Sequence, residues 1–327
     1  MTAAFVTGGS GFIGGALIRR LVAGGIDVHA LVRSETAARK VLAIGGTPIA
    51  GDLADVPSMA FGAQYCELAF HCAAHLGDWG SRDEFERVNV DGTRNVLAAA
   101  RQAGLRRFVH VGTEAALLAG RPLIEVDERA PLRFDSPALY SSTKARAEAA
   151  VIEANGGGLD TVVVRPRFVW GRGDNTLLPA IAAAVEAGRF AWIGGGRQRT
   201  STTHIDNAVH GLMLAAERGA PGGVYFVTDG EPVVFREFVT RLLATQGIDA
   251  PGRSVPKPVA RALAAAGETA WRSLPLPGQP PLTRLALWVS GLETTLDISR
   301  AREELGYAPV TTIDQGLAEL ADRDVDA

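Results

Sequence analysis

The sequence predicts an α/β fold: a doubly wound parallel sheet followed by a smaller C-terminal α/β unit. Three observations predict it. Short apolar, β-branched runs alternate with helix-patterned segments up to about Trp170, as strands buried on both faces by crossover helices require. A glycine cluster separates the first such run from the first helix. Beyond Trp170 glycine and proline become frequent and the elements shorter, notably around Pro251, Pro256, Pro258 and from Leu274 to Pro281. At 327 residues the chain also exceeds what a single core usually organises.

In chain order, Ala3 to Thr7 reads as a buried strand and Phe12 to Ala23 as an amphipathic helix. Val28 to Val32 and Thr47 to Ala50 follow as strands, the latter ending at Gly51-Asp52. Leu68 to Cys72 is a fourth strand. One long helix is predicted from about Asp83 to Ala103, closed by Gly104 as its C-terminal cap. Phe108 to Val111 and Thr161 to Val164 are two more strands, and the alanine-rich segment between them, Ser136 to Ala154, is helical in pattern. These readings give a sheet domain over residues 1–170 and a mainly substrate-binding unit over 171–327, with a helix near 204–217 returning to the sheet.

Apolar content of 47% with 21% charged residues fits a globular enzyme and excludes a disordered chain. A net charge of -3 offers no basic field for nucleic acid and gives no reason to invoke a membrane surface. No apolar run is long enough to span a bilayer. Cys66 and Cys72 are the only cysteines, too few for a disulfide framework or a cysteine metal site. With no signal-peptide pattern at the N-terminus, a cytoplasmic location is expected.

The glycine cluster Thr7-Gly8-Gly9-Ser10-Gly11-Phe12-Ile13-Gly14 carries the first chemical signal. Glycines at 8, 11 and 14, and the overlapping Gly9-x-Gly11-x-x-Gly14, let backbone N–H groups approach a pyrophosphate and let the helix pack closely on the strand. The helix N-terminus then faces the negative charge. Between a strand and an amphipathic helix, this is a Rossmann dinucleotide turn. At the end of the second strand, where NAD enzymes usually carry a carboxylate for the adenosine ribose, the chain reads Ala30-Leu31-Val32-Arg33-Ser34. A guanidinium there can pair with a 2′-phosphate, so NADP(H) is favoured, with NAD(H) the alternative. Asp52 and Leu53 would flank the adenine.

Tyr140-Ser141-Ser142-Thr143-Lys144 places a phenol and an ammonium one helical turn apart, on one face. With four tyrosines and three lysines in the chain, chance is a poor source of this spacing. A phenol titrates near ~10, and a neighbouring ammonium, helped by an oxidised nicotinamide, is expected to lower it so that Tyr140 can exchange a proton with a carbonyl or alcohol. Thr113, just past the strand Phe108 to Val111, can offer its hydroxyl to the reacting oxygen. Ala73 and Ala74 in His71-Cys72-Ala73-Ala74-His75 leave room for the cofactor. His71, His75 and His110 lack metal-ligand spacing and read as structural or pocket-lining, so no metal site is expected.

With these residues in place, the sequence resembles the extended short-chain dehydrogenase/reductases, specifically their 3β-hydroxysteroid dehydrogenase-like branch. The resemblance runs nearly end to end, through the glycine turn, Gly51-Asp52-Leu53, Val88-Asn89-Val90-Asp91-Gly92-Thr93, Tyr140 to Lys144, Arg165-Pro166, His204-Ile205-Asp206-Asn207 and Leu305-Gly306-Tyr307-x-Pro309. It implies a catalytic set of Thr113, Tyr140 and Lys144, with threonine where most relatives carry serine. It also implies cofactor contacts from Gly8, Gly11, Phe12, Ile13, Gly14, Ala73, Ala74, Asn89, Pro166 and Val169. Asp78-Trp79-Gly80, Arg165 to Gly171, Asn175-x-Leu177-Leu178-Pro179 and Pro281-Leu282-Thr283-Arg284 are similar to 2-alkyl-3-oxoalkanoate reductases and, more generally, to sterol-4-carboxylate 3-dehydrogenases. Their substrates imply a small hydrophobic alcohol or ketone, such as a β-hydroxy or β-keto acid or a 3β-hydroxysteroid, met by Trp79, Thr113, Trp170, Asn175 and Leu178. For both tryptophans, packing is an equal reading. A homodimer follows by analogy alone.

Two other functions compete on the same fold. A nucleotide-sugar epimerase or dehydratase is the nearer one, but such dehydratases read Thr-Asp-Glu where this chain has Thr113-Glu114-Ala115. A non-catalytic NADP(H) sensor is the other, opposed by retention of both Tyr140 and Lys144.

Overall fold

A computed structural model describes residues 2–322. Seven parallel strands form the main sheet: β1 (Ala3–Thr7), β2 (Asp27–Val32), β3 (Thr47–Ala50), β4 (Leu68–His71), β5 (Arg107–Val111), β6 (Asp160–Pro166) and β7 (Gly223–Val227). Their spatial order is 3-2-1-4-5-6-7. The order reverses between β1 and β4, where Thr7 and His71 lie in register. Crossovers leave that junction in opposite directions and open a crevice at the strands' carboxyl ends.

Helix α1 (Phe12–Ala23) packs Leu17, Ile18 and Leu21 into the core on one face of the sheet, with Val6, Val28 and Phe70. On the other face, α2 (Val56–Gly62) and α3 (Gly92–Gln102) enclose Phe5, Met59, Val96 and Phe108. The long helix expected over Asp83 to Ala103 is interrupted. A short α-helical turn, Arg82–Phe85, runs into a π-helical stretch, Glu86–Asp91, before α3 begins. One wide turn rotates Asn89 inward, where its side chain bonds protein rather than solvent; apolar spacing alone does not reveal such a turn.

Helix α4 (Leu139–Glu153) carries Tyr140 and Lys144 and is three residues shorter at its start than the pattern predicts. Helix α5 (Ile205–Arg218) returns to the sheet as expected, touching α1 and β6. It brings β7 with it, a strand the sequence reading omits; the sheet layer therefore draws on residues well beyond 171. The remainder builds a small mixed sheet from Leu123–Val126, Arg199–Thr200, Val233–Val234 and Thr294–Leu296. A hairpin of α6 (Lys257–Ser273) and α7 (Arg284–Gly291) packs Ala260, Ala264, Leu285 and Trp288 together at the side of the crevice.

Candidate active site

The crevice is a cleft of about 800 Å³ whose walls run from the glycine turn to Tyr140 and on to α7. At one end Gly8, Gly11, Phe12, Ile13 and Gly14 line it, with Arg33, Asp52 and Leu53 beyond. A Cβ on Gly14 would lie 2.3 Å from the Gly8 carbonyl oxygen, and one on Gly8, whose φ is +73°, would lie 2.6 Å from the Ala73 amide nitrogen. These glycines hold the turn close against both α1 and the β4 loop, leaving a cradle of backbone groups at a helix N-terminus that suits a pyrophosphate. Past the end of β2, Ser34 caps the helix Glu35–Ala43, accepting from the Ala37 amide at 3.2 Å. Arg33, Thr36 and Lys40 stand around that cap on the cleft wall. Lys40 is a cation the sequence reading did not place there; its position, one and a half turns into the next helix, is the only signal it gives.

A buried network fixes the floor at the switch point. Thr93 donates to the Asn89 carbonyl (2.7 Å), so it accepts from Nε2 of His71 at 2.9 Å, and Nδ1 of His71 accepts from Thr7 (2.7 Å). Burial and the Lys144 charge push the imidazole down to about 3, so His71 stays neutral and structural. Asn89 clamps both sides. Its Oδ1 accepts from the His75 amide (2.7 Å), while its Nδ2 reaches the His75 carbonyl and Thr143 Oγ1, each at 3.2 Å. It thus ties the Ala73–Ala74 wall to the helix carrying Tyr140, and it is absent from the cleft lining.

Thr113, Tyr140 and Lys144 all line the other end of the cleft. Lys144 is buried, donates to the Val111 carbonyl at 2.9 Å and lies 3.4 Å from Nε2 of His110. Burial brings its ammonium down to about 8, against an upward pull from Glu148. Tyr140 departs from expectation. Burial, reinforced by the Glu114 carboxylate, pushes its phenol above its ordinary value, and only the Thr113 hydroxyl works the other way. The Lys144 ammonium is engaged by the sheet edge and does not reverse that shift. The phenol therefore keeps its proton at neutral pH. Cys72, also on the wall, is pushed up to about 12 by burial and offers no thiolate.

Behind the catalytic wall stand two buried ion pairs that sequence reasoning missed. Arg167 pairs with Glu114, donates to Thr200 Oγ1 (3.0 Å) and reaches the Val289 carbonyl of α7 (3.3 Å). Glu114 in turn accepts from the Thr113 hydroxyl at 2.9 Å. Arg165 pairs with Glu148, its Nε 3.0 Å from both carboxylate oxygens, on the helix that carries Lys144. The signal was present: two arginines at alternate positions of a strand end otherwise apolar demand buried partners.

Pro166, Val169 and Asn175 line the cleft, as do Ala115, Phe168, Leu177, Leu285 and Val289. Phe168 takes φ +48°, turning the chain sharply as it leaves β6. Three residues expected at the substrate lie elsewhere. Trp170 is fully buried, donates to Asp229 (2.8 Å) and packs edge-on against His204 and Phe238, so it is core. Leu178 joins the same core cluster. Trp79 lies off the cleft beneath the Arg272 guanidinium, 5.6 Å from its ring centre.

The Lys144 value sets a pH dependence. The folded state holds that proton less tightly than the unfolded chain, whose lysine titrates near 10.5, so between about 8 and 10.5 the unfolded state binds more protons and this group's contribution to stability rises with pH. Catalysis that needs the ammonium moves oppositely. The kcat/KM for ketone reduction is expected to be flat below about pH 8 and to decline above it, and Lys144→Arg should remove the decline, though not restore full rate. A pH-rate profile of the two proteins checks this; an unbroken plateau to pH 10 in the unmodified enzyme contradicts it.

A glycine-turn nucleotide cradle at a sheet's switch point, continuous with a Thr–Tyr–Lys set at the other end, defines an oxidoreductase of the extended short-chain dehydrogenase/reductase type, using NAD(P) and acting on CH–OH and C=O groups. Residues 5–257 match the 3-beta hydroxysteroid dehydrogenase/isomerase family, and the chain belongs to that family. It is 51% identical, over 97% of its length and 95% of the relative's, to 4-hydroxy-2-methyl-3-oxo-4-farnesyl-3,4-dihydroquinoline-1-oxide ketoreductase of Stigmatella aurantiaca. It is 38% identical to 2-alkyl-3-oxoalkanoate reductase of Stenotrophomonas maltophilia, over 96% and 97% of the two chains. Among solved structures, a dTDP-glucose 4,6-dehydratase double mutant from Streptomyces venezuelae superposes with a TM-score of 0.76 at 24% identity, covering 97% of this chain and 95% of that one. That likeness speaks to the fold alone.

Proposed function

We propose that this protein is an NADPH-dependent ketoreductase whose substrate carries its ketone beside a carbon bearing a long apolar substituent. One observation carries the reading: Thr113, Tyr140 and Lys144 share a cleft wall with apolar Ala115, Phe168, Leu177, Leu285 and Val289 on one side, and the glycine turn on the other. The substrates that the two relatives are named for share that chemistry, a 3-oxo group next to a farnesyl-bearing or alkyl-bearing carbon. The nucleotide, when bound, supplies the hydride. Tyr140 donates its phenolic proton to the ketone oxygen, and the Thr113 hydroxyl can hold that oxygen once it exchanges its Glu114 contact. Lys144 stabilises the phenolate left behind and can take up the nicotinamide ribose once it exchanges its Val111 contact. Reduction begins with the tyrosine protonated, the form that burial keeps.

Screening a 3-oxo-dihydroquinoline oxide, a 2-alkyl-3-oxoalkanoate, a 3-ketosteroid and a dTDP-sugar with each cofactor tests the reading. NADPH-coupled reduction of a ketone with an alkylated neighbour is expected. Turnover of the dTDP-sugar without net change in NADPH would replace the reading with an epimerase or dehydratase.

The preference for the phosphorylated cofactor rests on Arg33 and Lys40 beside the capped helix start, where a 2′-phosphate would meet two cations and free amides. Arg33→Ala should weaken NADPH binding about ten-fold or more and change NADH binding less than two-fold, as a single phosphate contact does. Fluorescence titration with both nucleotides measures it; tighter NADH than NADPH binding in the unmodified protein contradicts the preference.

A further inference from the structure

The Glu114–Arg167 ion pair is lopsided with respect to the cleft. Glu114 follows Thr113 directly and lines the cleft, although it is only 5% exposed. Arg167 is absent from the lining; it is buried behind the wall, where it also meets Thr200 and the Val289 carbonyl. The pair carries no net charge, yet its negative end is the one that faces the cleft. In a buried site that charge is weakly screened and acts strongly at short range.

Glu114 also stands next to the reacting groups. It accepts from the Thr113 hydroxyl at 2.9 Å, so a ketone oxygen that takes over that hydroxyl lies about two hydrogen-bond lengths from the carboxylate. Its field reaches the phenol as well: after burial, Glu114 is the main influence that holds the Tyr140 proton in place.

Among the described residues, that part of the cleft offers an anion no uncommitted cation. Four lysine or arginine side chains line the cleft, Arg33, Lys40, Arg87 and Lys144. Arg33 and Lys40 stand at the capped helix start on the nucleotide side. Arg87 belongs to that side too, because its carbonyl and the Leu53 side chain converge on Gly92. Lys144 donates to the Val111 carbonyl and is the group that steadies the Tyr140 phenolate. His75, also on the wall, lies 3.8 Å from Glu84.

We propose that Glu114 makes this site select neutral ketones and reject those that carry a carboxylate beside the reacting carbon. A carboxylate buried without a cation is costly, and a second carboxylate nearby adds repulsion. In a β-keto acid the carboxylate is tethered two bonds from the ketone carbon, so a productive pose keeps it in the neighbourhood of Thr113 and Glu114. An uncharged group at the same position escapes both penalties. The inference rests on the ketoreductase reading and narrows its substrate class, from ketones beside a long apolar substituent to the uncharged ones among them.

The test presents one carbon skeleton in two charge states, a 2-alkyl-3-oxoalkanoate and its carboxamide, which match in shape. With NADPH at neutral pH, the unmodified protein should reduce the carboxamide with a kcat/KM at least about ten-fold above that for the acid. Glu114→Gln should narrow that ratio at least about five-fold, because it removes the carboxylate and unmasks Arg167. A purely structural loss would lower both substrates together and leave the ratio alone. The double variant Glu114→Gln with Arg167→Met leaves no lone buried charge and should narrow the ratio as well, which keeps the test decisive if the single variant melts. An unmodified protein that reduces the acid as well as the carboxamide, or a ratio that neither variant changes, overturns the inference and leaves the ketoreductase reading standing. Reduction of neither ketone overturns both.

Discussion

Replacing Tyr140 by phenylalanine is expected to leave NADPH affinity within about two-fold of the unmodified protein and to lower kcat/KM for ketone reduction at least ~100-fold, the usual scale for removing a positioned acid. The ring packs on the cleft wall and its deletion of one oxygen opens no cavity. What disappears is the proton that burial and Glu114 hold on that oxygen. Steady-state kinetics with a nucleotide-binding titration measure both quantities. Turnover near the unmodified rate would mean that another cleft-lining group, such as Thr113, Lys144 or Cys72, donates.

The second large effect lies behind the site. Arg167→Met removes the partner of a carboxylate that is only 5% exposed. Removing one partner of such a buried pair typically costs about 3–5 kcal/mol, because the remaining charge is neither solvated nor matched. At two to three degrees per kcal/mol in a chain of this size, the melting temperature should fall by roughly 6–15 °C. The double variant Glu114→Gln with Arg167→Met should recover much of that loss, since it leaves no orphan charge. Thermal melting of the three proteins decides it. A single variant as stable as the parent would show that water reaches Glu114, and the cleft wall would then be looser than its hydrogen bonds imply. Because Arg167 also holds the Val289 carbonyl of α7, the pair connects the catalytic wall to the apolar side of the cleft, and KM should rise in the single variant as well.

Much of this was legible from the sequence, for identifiable reasons. Six of the sheet's seven strands are short apolar runs, so their positions could be read within a residue or two, whereas β7 was missed. Gly8 and Gly14 announce their role because a Cβ on Gly8 would crowd Ala73 and one on Gly14 would crowd the Gly8 carbonyl. Tyr140 and Lys144 are visible because a helix converts a spacing of four into a shared face. What failed has equally concrete causes. Apolar spacing cannot distinguish an α-helix from one with a π turn, so the inward rotation of Asn89 was invisible. Trp170 looked like a pocket residue because it follows Val169 at the strand's exit, yet its indole finds Asp229 across the chain, a partner 59 positions away. Glu114 and Arg167 share a bond across 53 residues, which only the folded chain brings together. The expectation that Lys144 would dominate the Tyr140 phenol failed for a related reason: spacing places the ammonium near, but the Val111 carbonyl and burial decide its effect.

Catalysis by Tyr140 depends most directly on where its phenolic oxygen lies when both ligands are bound. A crystal structure of the protein with NADP⁺ and a product alcohol should place that oxygen within about 3.2 Å of the alcohol oxygen, with the nicotinamide C4 facing the same carbon. The adenosine phosphate should lie against Arg33 and Lys40. A nicotinamide bound away from Tyr140, or a phenol turned from the alcohol with Thr113 and Lys144 unengaged, would contradict the account at its centre.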